Sequence, residues 1–311
     1  MRQPSIGGLG AWGHLDTLPI HEARAFARRV DELGYGALWV PETVGREPLT
    51  LLGLLAAETI RLVLGTSVVN IWGRDPQAAR MAAVTMSEAT GGRFALGLGV
   101  SHPHLAGKLR GHVFERPVAT MRDYLARYRA AVVRAPALRD APEPPVLVAA
   151  LRARMTELAA TDADGAFPYL VTAPHVRWMR DRLDAFAGDR RSILAVSLPV
   201  VLADGPRDRA AGEAARAYLA PYLRTPTYRA SWELQGFVAG DWEAPGDDRL
   251  VNAMVAIGDE AAVRARIAEL HDAGADHVAL LGLAPDGTTE HLPTLEAMRP
   301  PVAGVVEAGR G

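Results

Sequence analysis

The chain has 311 residues, of which 49% are hydrophobic and 23% charged, as in an ordinary folded globular protein. Its 34 Lys+Arg and 36 Asp+Glu leave a net charge of −2, so the composition gives no basic surface of the kind that nucleic-acid binding needs. The absence of cysteine excludes thiolate catalysis, disulfides, iron–sulfur clusters and zinc–thiolate sites.

The chain carries no recognisable targeting or membrane segment in its sequence. No apolar leader precedes the first Gly-rich segment, so we expect a cytoplasmic protein. The longest apolar stretch, Leu49 to Leu64, is interrupted by Glu58 and Arg61 and is too short to span a bilayer. We therefore expect no association with a membrane.

Short runs rich in Val, Leu and Gly alternate with helical stretches of roughly ten to fifteen residues, which is typical of βα units and a parallel sheet. The predicted strands are Ile6–Ala11, Ala37–Val40, Leu62–Asn70, Arg93–Val100, Val146–Ala149, Gly165–Phe167, Ile193–Leu202 and His277–Leu281. This pattern predicts an α/β fold, a (β/α)₈ TIM barrel. We expect one domain over residues 1–311.

The segments between the strands carry helical periodicity. Apolar residues recur at spacings of three and four in Ile20–Leu33, Val118–Val132 and Val263–Leu270, which predicts amphipathic helices there. A further predicted helix, Pro76–Ala89, is apolar on almost every side. A helix on the outside of a barrel should have one polar face toward solvent. Because this helix lacks such a face, we interpret it as a subunit interface and expect a homodimer.

The connection between the seventh and eighth predicted strands, Leu202–Gly258, is too long for a plain βα repeat. It contains a predicted helix, Asp208–Leu219, and then Pro, Gly, acidic and aromatic residues. Trp232, Phe237 and Trp242 either close over a pocket or only anchor this insertion to the barrel.

Residues at the C-terminal ends of barrel strands are the candidates for catalysis, because the active sites of (β/α)₈ barrel enzymes lie at that end. Glu42 follows the second strand among apolar residues, where a raised pKa would suit an acid or base. The equal alternative is a carboxylate that pairs with an arginine or caps the helix beginning near Leu49. His102 follows the fourth strand and suits a proton donor or hydrogen-bond partner.

His102 and His104 bind a metal only if a third ligand converges on them, and the sequence offers no obvious one. We therefore expect no metal site. The Gly97-Leu98-Gly99 run lacks the third glycine and the immediate helix of a dinucleotide fingerprint. These glycines either permit tight packing inside the barrel or leave room for a planar ring.

Two arginines, Arg152 and Arg154, begin the helix after the fifth strand. A helix N-terminus with arginine suits a phosphate group, whereas two solvated surface arginines are the commoner arrangement. From the residues alone, the chain is an enzyme-like barrel with a pocket for a small molecule.

Five segments together resemble the luciferase-like monooxygenase superfamily, and within it the oxidoreductases that use the deazaflavin coenzyme F420. They are Glu32–Glu42, Leu64–Pro76, Gly91–His102, Ala163–Tyr169 and Ala273–Val278. The resemblance extends over nearly the whole chain and keeps the order of the segments. It implies a (β/α)₈ barrel that holds the ring system of the coenzyme at its strand ends.

The resemblance also implies roles for individual residues. Glu42 matches the acidic position that faces the deazaflavin, and His102 stands near the carbon that exchanges the hydride. A non-proline cis peptide would join Ser67 and Val68 against the ring. The residues that would line the ring system beside it are Asn70, Gly97, Gly99, Val100 and Ser101.

The coenzyme's phosphate would rest on the backbone N–H groups near Ala150 and Leu151. Relatives usually place Gly-Pro where this chain has Arg152 and Ala153. Arg152 therefore either adds a charge contact to the phosphate or obstructs it.

The implied reaction is hydride transfer between coenzyme F420 and a small organic substrate. The first alternative is an FMN-dependent monooxygenase on the same barrel. The second is a cofactor-binding protein without turnover, for which Arg152 is the main argument.

Overall fold

The computed structural model describes residues 5–135, 138, 140–205, 208–284 and 292–301. Residues 1–4, on which the expectation of no leader partly rests, lie outside the described residues, as do residues 302–311. The predicted single domain over 1–311 therefore extends beyond the part of the chain that is described.

Ten strands form one sheet. In chain order they are β1 (Leu9–Trp12), β2 (Ala37–Val40), β3 (Val63–Thr66), β4 (Val69–Asn70), β5 (Phe94–Gly99), β6 (Val146–Val148), β7 (Gly165–Ala166), β8 (Ile193–Leu202), β9 (Ala256–Gly258) and β10 (His277–Gly282). All pairings are parallel, and β10 pairs with both β1 and β8, which closes the sheet into an eight-stranded barrel. The predicted (β/α)₈ barrel is confirmed.

The helices alternate with these strands. In chain order they are α1 (Ile20–Glu32), α2 (Pro48–Ala56), α3 (Pro76–Ala89), α4 (Pro117–Ala130), α5 (Ala153–Asp162), α6 (Ala173–Phe186), α7 (Arg209–Leu219), α8 (Pro226–Leu234), α9 (Asp248–Met254), α10 (Glu260–Asp272) and α11 (Leu292–Ala297). A π-helical segment, His104–Leu109, follows β5. The insertion between β8 and β10 contains α7, α8 and α9, and β9 ends it by pairing with the last residues of β8.

Local sequence signals explain where several helices begin. Asp75, Asp208 and Asp259 each occupy the N-cap position of α3, α7 and α10, and each side chain accepts a hydrogen bond from the backbone N–H three residues later. These caps satisfy N–H groups that the first helical turn leaves unpaired. At the other end of α1, Gly34 adopts a φ of +85°, the left-handed conformation that commonly ends a helix.

Two strand predictions differ from the structure. The first strand begins at Leu9 rather than Ile6, because Gly7 turns the chain with a φ of +66°. The third predicted strand is divided into β3 and β4 around Ser67 and Val68, which are joined by the cis peptide that the resemblance implied.

Helix α3 buries part of its apolar surface inside the molecule. Ala79, Ala83, Val84 and Met86 are buried, whereas Met81 keeps 46% of its surface exposed. The exposed face is therefore less extensive than the sequence indicated, and the homodimer stays a prediction. Within the described ranges, no helix has both the length and the apolar character needed to cross a membrane.

Candidate active site

The ends of β2 and β4 place Glu42 beside Asn70 at the rim of the barrel. The Glu42 Oε2 atom accepts hydrogen bonds from the Asn70 backbone N–H at 2.6 Å and from Asn70 Nδ2 at 2.7 Å. The other amide atom, Asn70 Oδ1, accepts a bond from the backbone N–H of Trp72 at 3.0 Å. These contacts fix both side chains in one orientation.

Two arginines hold the Glu42 carboxylate from the loops that follow β4 and β5. Arg74 donates to both carboxylate oxygens at 3.2 Å, and Arg110 donates to Oε1 at 3.3 Å. The Glu42 side chain is only 7% exposed. Of the alternatives left open by the sequence, the structure shows the pairing with arginine, while Glu47 caps α2 by accepting a bond from Thr50. The catalytic role of Glu42 stays a prediction.

The cis peptide between Ser67 and Val68 packs against the glycines of β5. A Cβ atom on Gly99 would lie 2.6 Å from Val68 Cγ2, and one on Gly97 would overlap the Thr66 carbonyl group. The Thr66 side chain also bonds the Gly97 backbone, at 2.8 Å and 2.9 Å. Gly97 thus makes room for the backbone of the neighbouring strand and Gly99 for the Val68 side chain, which agrees with the tight-packing interpretation.

Beyond β5 the chain turns abruptly. Ser101 adopts a φ of +60°, an uncommon backbone conformation for a residue other than glycine and one that clusters at functional sites. The carbonyl group of Val100 accepts a hydrogen bond from Trp72 Nε1 at 2.7 Å. The turn brings His102 over the strand ends.

His102 has a buried polar atom without a partner. Its Nδ1 atom makes no hydrogen bond in the described part of the chain, although the atom is shielded from solvent. Burial, and then the neighbouring His104, lower the pKa of His102, so the imidazole is neutral near pH 7. Among the described residues no group of three or more His, Asp or Glu side chains could hold a metal ion.

Five aromatic side chains form what we call the aromatic wall: Trp12, Tyr169, Tyr218, Tyr222 and Tyr228. Trp12 ends β1 and donates to Ser67 Oγ at 3.0 Å, while Tyr169 lies just beyond β7. The other three tyrosines come from the insertion. The sequence interpretation missed these three, whose only signal is their close spacing along the insertion.

The remaining aromatic residues of the insertion are buried rather than turned toward the barrel opening. Trp232 has no exposed surface, and its Nε1 atom donates to the Leu170 carbonyl at 3.3 Å. Phe237 and Trp242 keep 6% and 7% of their surface exposed. Of the two alternatives, these residues therefore anchor the insertion to the barrel.

The predicted phosphate position lies at the start of α5. Ala150 is buried at the end of the β6 segment, and the Leu151 carbonyl contacts His175 Nε2 at 3.1 Å. No side chain caps the N-terminus of α5, so its first N–H groups have no capping partner. Arg152 is exposed, and its guanidinium group makes no hydrogen bond or ion pair with a described residue.

Comparison with known proteins places this architecture in a family. The model of the luciferase-like monooxygenase domain matches residues 6–277. The chain belongs to the luciferase-like monooxygenase family. The resemblance inferred from the sequence, to this family and to its F420-dependent members, is confirmed.

One relative within the family is a Mycobacterium tuberculosis protein named "Putative coenzyme F420-dependent oxidoreductase". It is 34% identical over 117 residues, which are 38% of this chain and 33% of the relative. The chain thus spans about a third of that relative's length in the match.

Two solved structures of the luciferase-like fold cover most of the chain. An F420-dependent secondary alcohol dehydrogenase in complex with an F420–acetone adduct has a TM-score of 0.74 and 13% identity, covering 94% of this chain and 96% of that one. The oxygenating constituent of the 3,6-diketocamphane monooxygenase from Pseudomonas putida, in complex with FMN, has a TM-score of 0.66 and 15% identity, covering 88% and 91%. At these identities the likeness shows the fold.

Family membership also establishes the general class of function. This luciferase-like chain is an enzyme, and its chemistry is that of an oxidoreductase.

Proposed function

We propose that the chain transfers a hydride between the deazaflavin coenzyme F420 and a small organic substrate. The observation that carries the proposal is the close packing of Val68 on Gly97 and Gly99 at the strand ends, where the third barrel strand is divided. Around it, Asn70 is held rigidly and Ser101 turns the chain away. Ser67, Gly97 and Gly99 carry a small side chain or none, which favours the close approach of a planar ring at these strand ends.

The residues present fit the coenzyme at two further points. The uncapped N-terminus of α5, with the backbone of Ala150 and Leu151, is a position that favours an anion such as a phosphate group. The exposed Arg152 adds a positive charge beside it. Val100, Ser101 and the two glycines of β5 would line the ring system.

When bound, coenzyme F420 supplies or accepts the hydride, and this chain's side chains handle the accompanying proton. We assign that proton to His102, whose buried and unpaired Nδ1 atom is free to form a hydrogen bond. Because its lowered pKa keeps the ring neutral, His102 can accept the proton of a substrate hydroxyl group at neutral pH.

We assign Glu42 to the acidic position that faces the coenzyme. Its carboxylate is held by Asn70, Arg74 and Arg110, so it acts there as a fixed group that orders the rim. Replacing it would release all three partners together.

A second candidate is FMN-dependent oxygen insertion, which the likeness to the FMN complex of the diketocamphane monooxygenase favours. That structure shares the barrel, and the same strand-end position would hold its ring. The two cofactors differ in their chemistry with oxygen, so identifying the bound cofactor separates the two candidates.

A fluorescence titration of the purified apo-protein with coenzyme F420, and with FMN in parallel, tests the proposal. We expect saturable binding of F420 at micromolar concentration or below, and FMN affinity at least about tenfold weaker, a difference of about 1.4 kcal/mol. The reverse order would overturn the proposal in favour of the monooxygenase.

The same titration on Arg152→Ala tests the phosphate assignment. We expect weaker F420 binding, because a cation next to the helix N-terminus is lost. Tighter binding would mean that Arg152 obstructs the site. An Arg154→Ala variant, in which the other exposed arginine of this turn is removed, serves as the matched control. Tight coenzyme binding without turnover of any substrate would indicate a cofactor-binding protein.

A further inference from the structure

The aromatic wall is continuous around the C-terminal opening of the barrel. The rings of Trp12 and Tyr169 stack with 6.4 Å between centroids and 6° between planes. Tyr169 contacts Tyr228 edge-on at 6.2 Å, and Tyr228 lies 5.7 Å from the ring of His102. The contacts therefore connect the end of β1, across the end of β7 and the insertion, to the turn after β5.

The wall is also electrically neutral. Tyr169 and Tyr218 are hydrogen-bonded to each other through their hydroxyl groups. Burial and the neighbouring tyrosines raise the pKa of both, so the phenols stay protonated. Every ring contact and hydrogen bond that the wall makes with described residues involves an uncharged or aromatic partner.

The charged rim residues described above are not members of the wall. Arg152, which has no described partner, lies at the start of α5. Glu42 is paired with Arg74 and Arg110, and Arg74 also contacts Glu47 at 2.7 Å. A charged substrate in contact with the rings of the wall would lose hydration without meeting an opposite charge on those rings, which is unfavourable. An uncharged ring would instead gain stacking contacts.

Two polar atoms without a described partner, one in the wall and one beside it, are available to such a substrate. The Tyr228 hydroxyl group makes no hydrogen bond with a described residue, and the Nδ1 atom of His102, on the adjoining ring, is likewise unpaired. A phenol donates a hydrogen bond and a neutral imidazole either donates or accepts one. Together they match a hydroxyl or carbonyl oxygen.

We propose that the aromatic wall selects an uncharged, ring-containing alcohol or ketone, and that Tyr228 determines this specificity together with His102. The proposal rests on the hydride-transfer function proposed above. It concerns a surface formed largely by the insertion, whereas the coenzyme position depends on β3, β5 and α5.

Equilibrium dialysis of the apo-protein against 2-acetylnaphthalene and 2-naphthoate tests the proposal, since the two probes share a ring system and differ in charge. We expect the ketone to bind at least about tenfold more tightly than the carboxylate. Equal affinities, tighter binding of the carboxylate, or no measurable binding of the ketone would overturn the proposal.

Substitutions at Tyr228 locate the effect. Tyr228→Leu should weaken ketone binding about tenfold, and Tyr228→Phe, which keeps the ring, should weaken it less. Tyr228→Arg should reverse the preference toward 2-naphthoate, which a merely structural role of this residue would not produce. Val238→Ala, at an exposed position of the same insertion, is the matched control and should change neither affinity.

The dialysis needs no coenzyme, so the two proposals can fail separately. If F420 does not bind but the ketone does, the substrate surface is correct and the cofactor is wrong. If F420 binds and the ketone preference is absent, the hydride-transfer proposal stands and the substrate class is wrong. Unfolding midpoints of the variants establish that each one is folded.

Discussion

His277 has the most perturbed environment among the described histidines, although it is remote from the candidate active site. It starts β10 and is completely buried inside the barrel. Trp39 Nε1 donates to its Nε2 atom at 2.8 Å, so Nδ1 carries the proton and donates to the Gly7 carbonyl at 2.8 Å. Both ring nitrogens are therefore satisfied only in the neutral form.

Burial lowers the pKa of His277 to about 4, below its ordinary value of 6.5. The unfolded chain thus binds a proton below pH 6.5 that the folded chain does not bind until about pH 4. We expect the free energy of unfolding to fall as the pH decreases through this interval, with His277 accounting for about 3 kcal/mol.

Urea denaturation at several pH values measures this dependence. His277→Gln should flatten the slope between pH 6.5 and pH 4, whereas His21→Gln, at a side chain 80% exposed, should leave it unchanged. The buried His102 and His175 contribute in the same direction, so a residual slope is expected. An identical slope in the wild type and in His277→Gln would contradict the assignment.

The sequence identified several individual residues of the rim but not their partners. The positions of Glu42 and Asn70 were predictable, because both residues lie at the C-terminal ends of predicted strands, where the active sites of barrel enzymes lie. Arg110 and Tyr228 were not, since each reaches the site from a loop or insertion whose path depends on tertiary contacts. His277 and Trp39 are 238 residues apart in sequence, a separation over which no local pattern indicates contact.

At the level of elements, β5 shows how one strand determines the shape of its neighbour. Gly97 faces the Thr66 backbone and Gly99 faces the Val68 side chain of the third barrel strand, which is divided at Ser67 and Val68. The apolar run of residues 62–70 predicted one continuous strand, and only the family resemblance indicated a special feature at Ser67 and Val68. The glycines that leave room for this feature lie in β5, across the sheet.

Gly97→Ala should therefore disrupt the sheet rather than only fill a gap. The new Cβ atom would overlap the Thr66 carbonyl group, and backbone yields less readily than a side chain. We expect the free energy of unfolding to decrease by about 3 kcal/mol, measured by urea denaturation. Gly53→Ala, at an exposed position of α2, is the control. Its new Cβ atom would lie 3.7 Å from the Met86 sulfur, an ordinary contact distance. It should be neutral or stabilising by about 0.5 kcal/mol.

For the whole molecule, the sequence predicted the barrel because its signals repeat. Seven of the eight predicted strands begin within one residue of an observed strand, since buried parallel strands read as short apolar runs wherever they occur. The insertion has no such repeat. Its helix α7 was predicted from its own sequence, whereas α8, α9 and β9 were not predicted. Only the structure shows that the tyrosines of the insertion lie at the barrel opening.

The assembly state is the prediction that belongs to the whole molecule. If α3 is a subunit interface, light scattering at micromolar concentration should give twice the mass of one chain. Met81→Glu, at an exposed apolar position of α3, should shift the population toward monomer by placing two carboxylates in the interface. Leu234→Glu, at an exposed position of α8, is the control. A wild-type protein with the mass of one chain would show that the interpretation of α3 is wrong.

The pairing of β10 with both β1 and β8 has a consequence for biosynthesis. Until residues 277–282 have left the ribosome, a nascent chain has two unpaired sheet edges, one at each side of the incomplete barrel. Truncation or stalling before this point would leave both edges open to other strands. Cells that make this protein should therefore depend on chaperone protection until β10 has been translated.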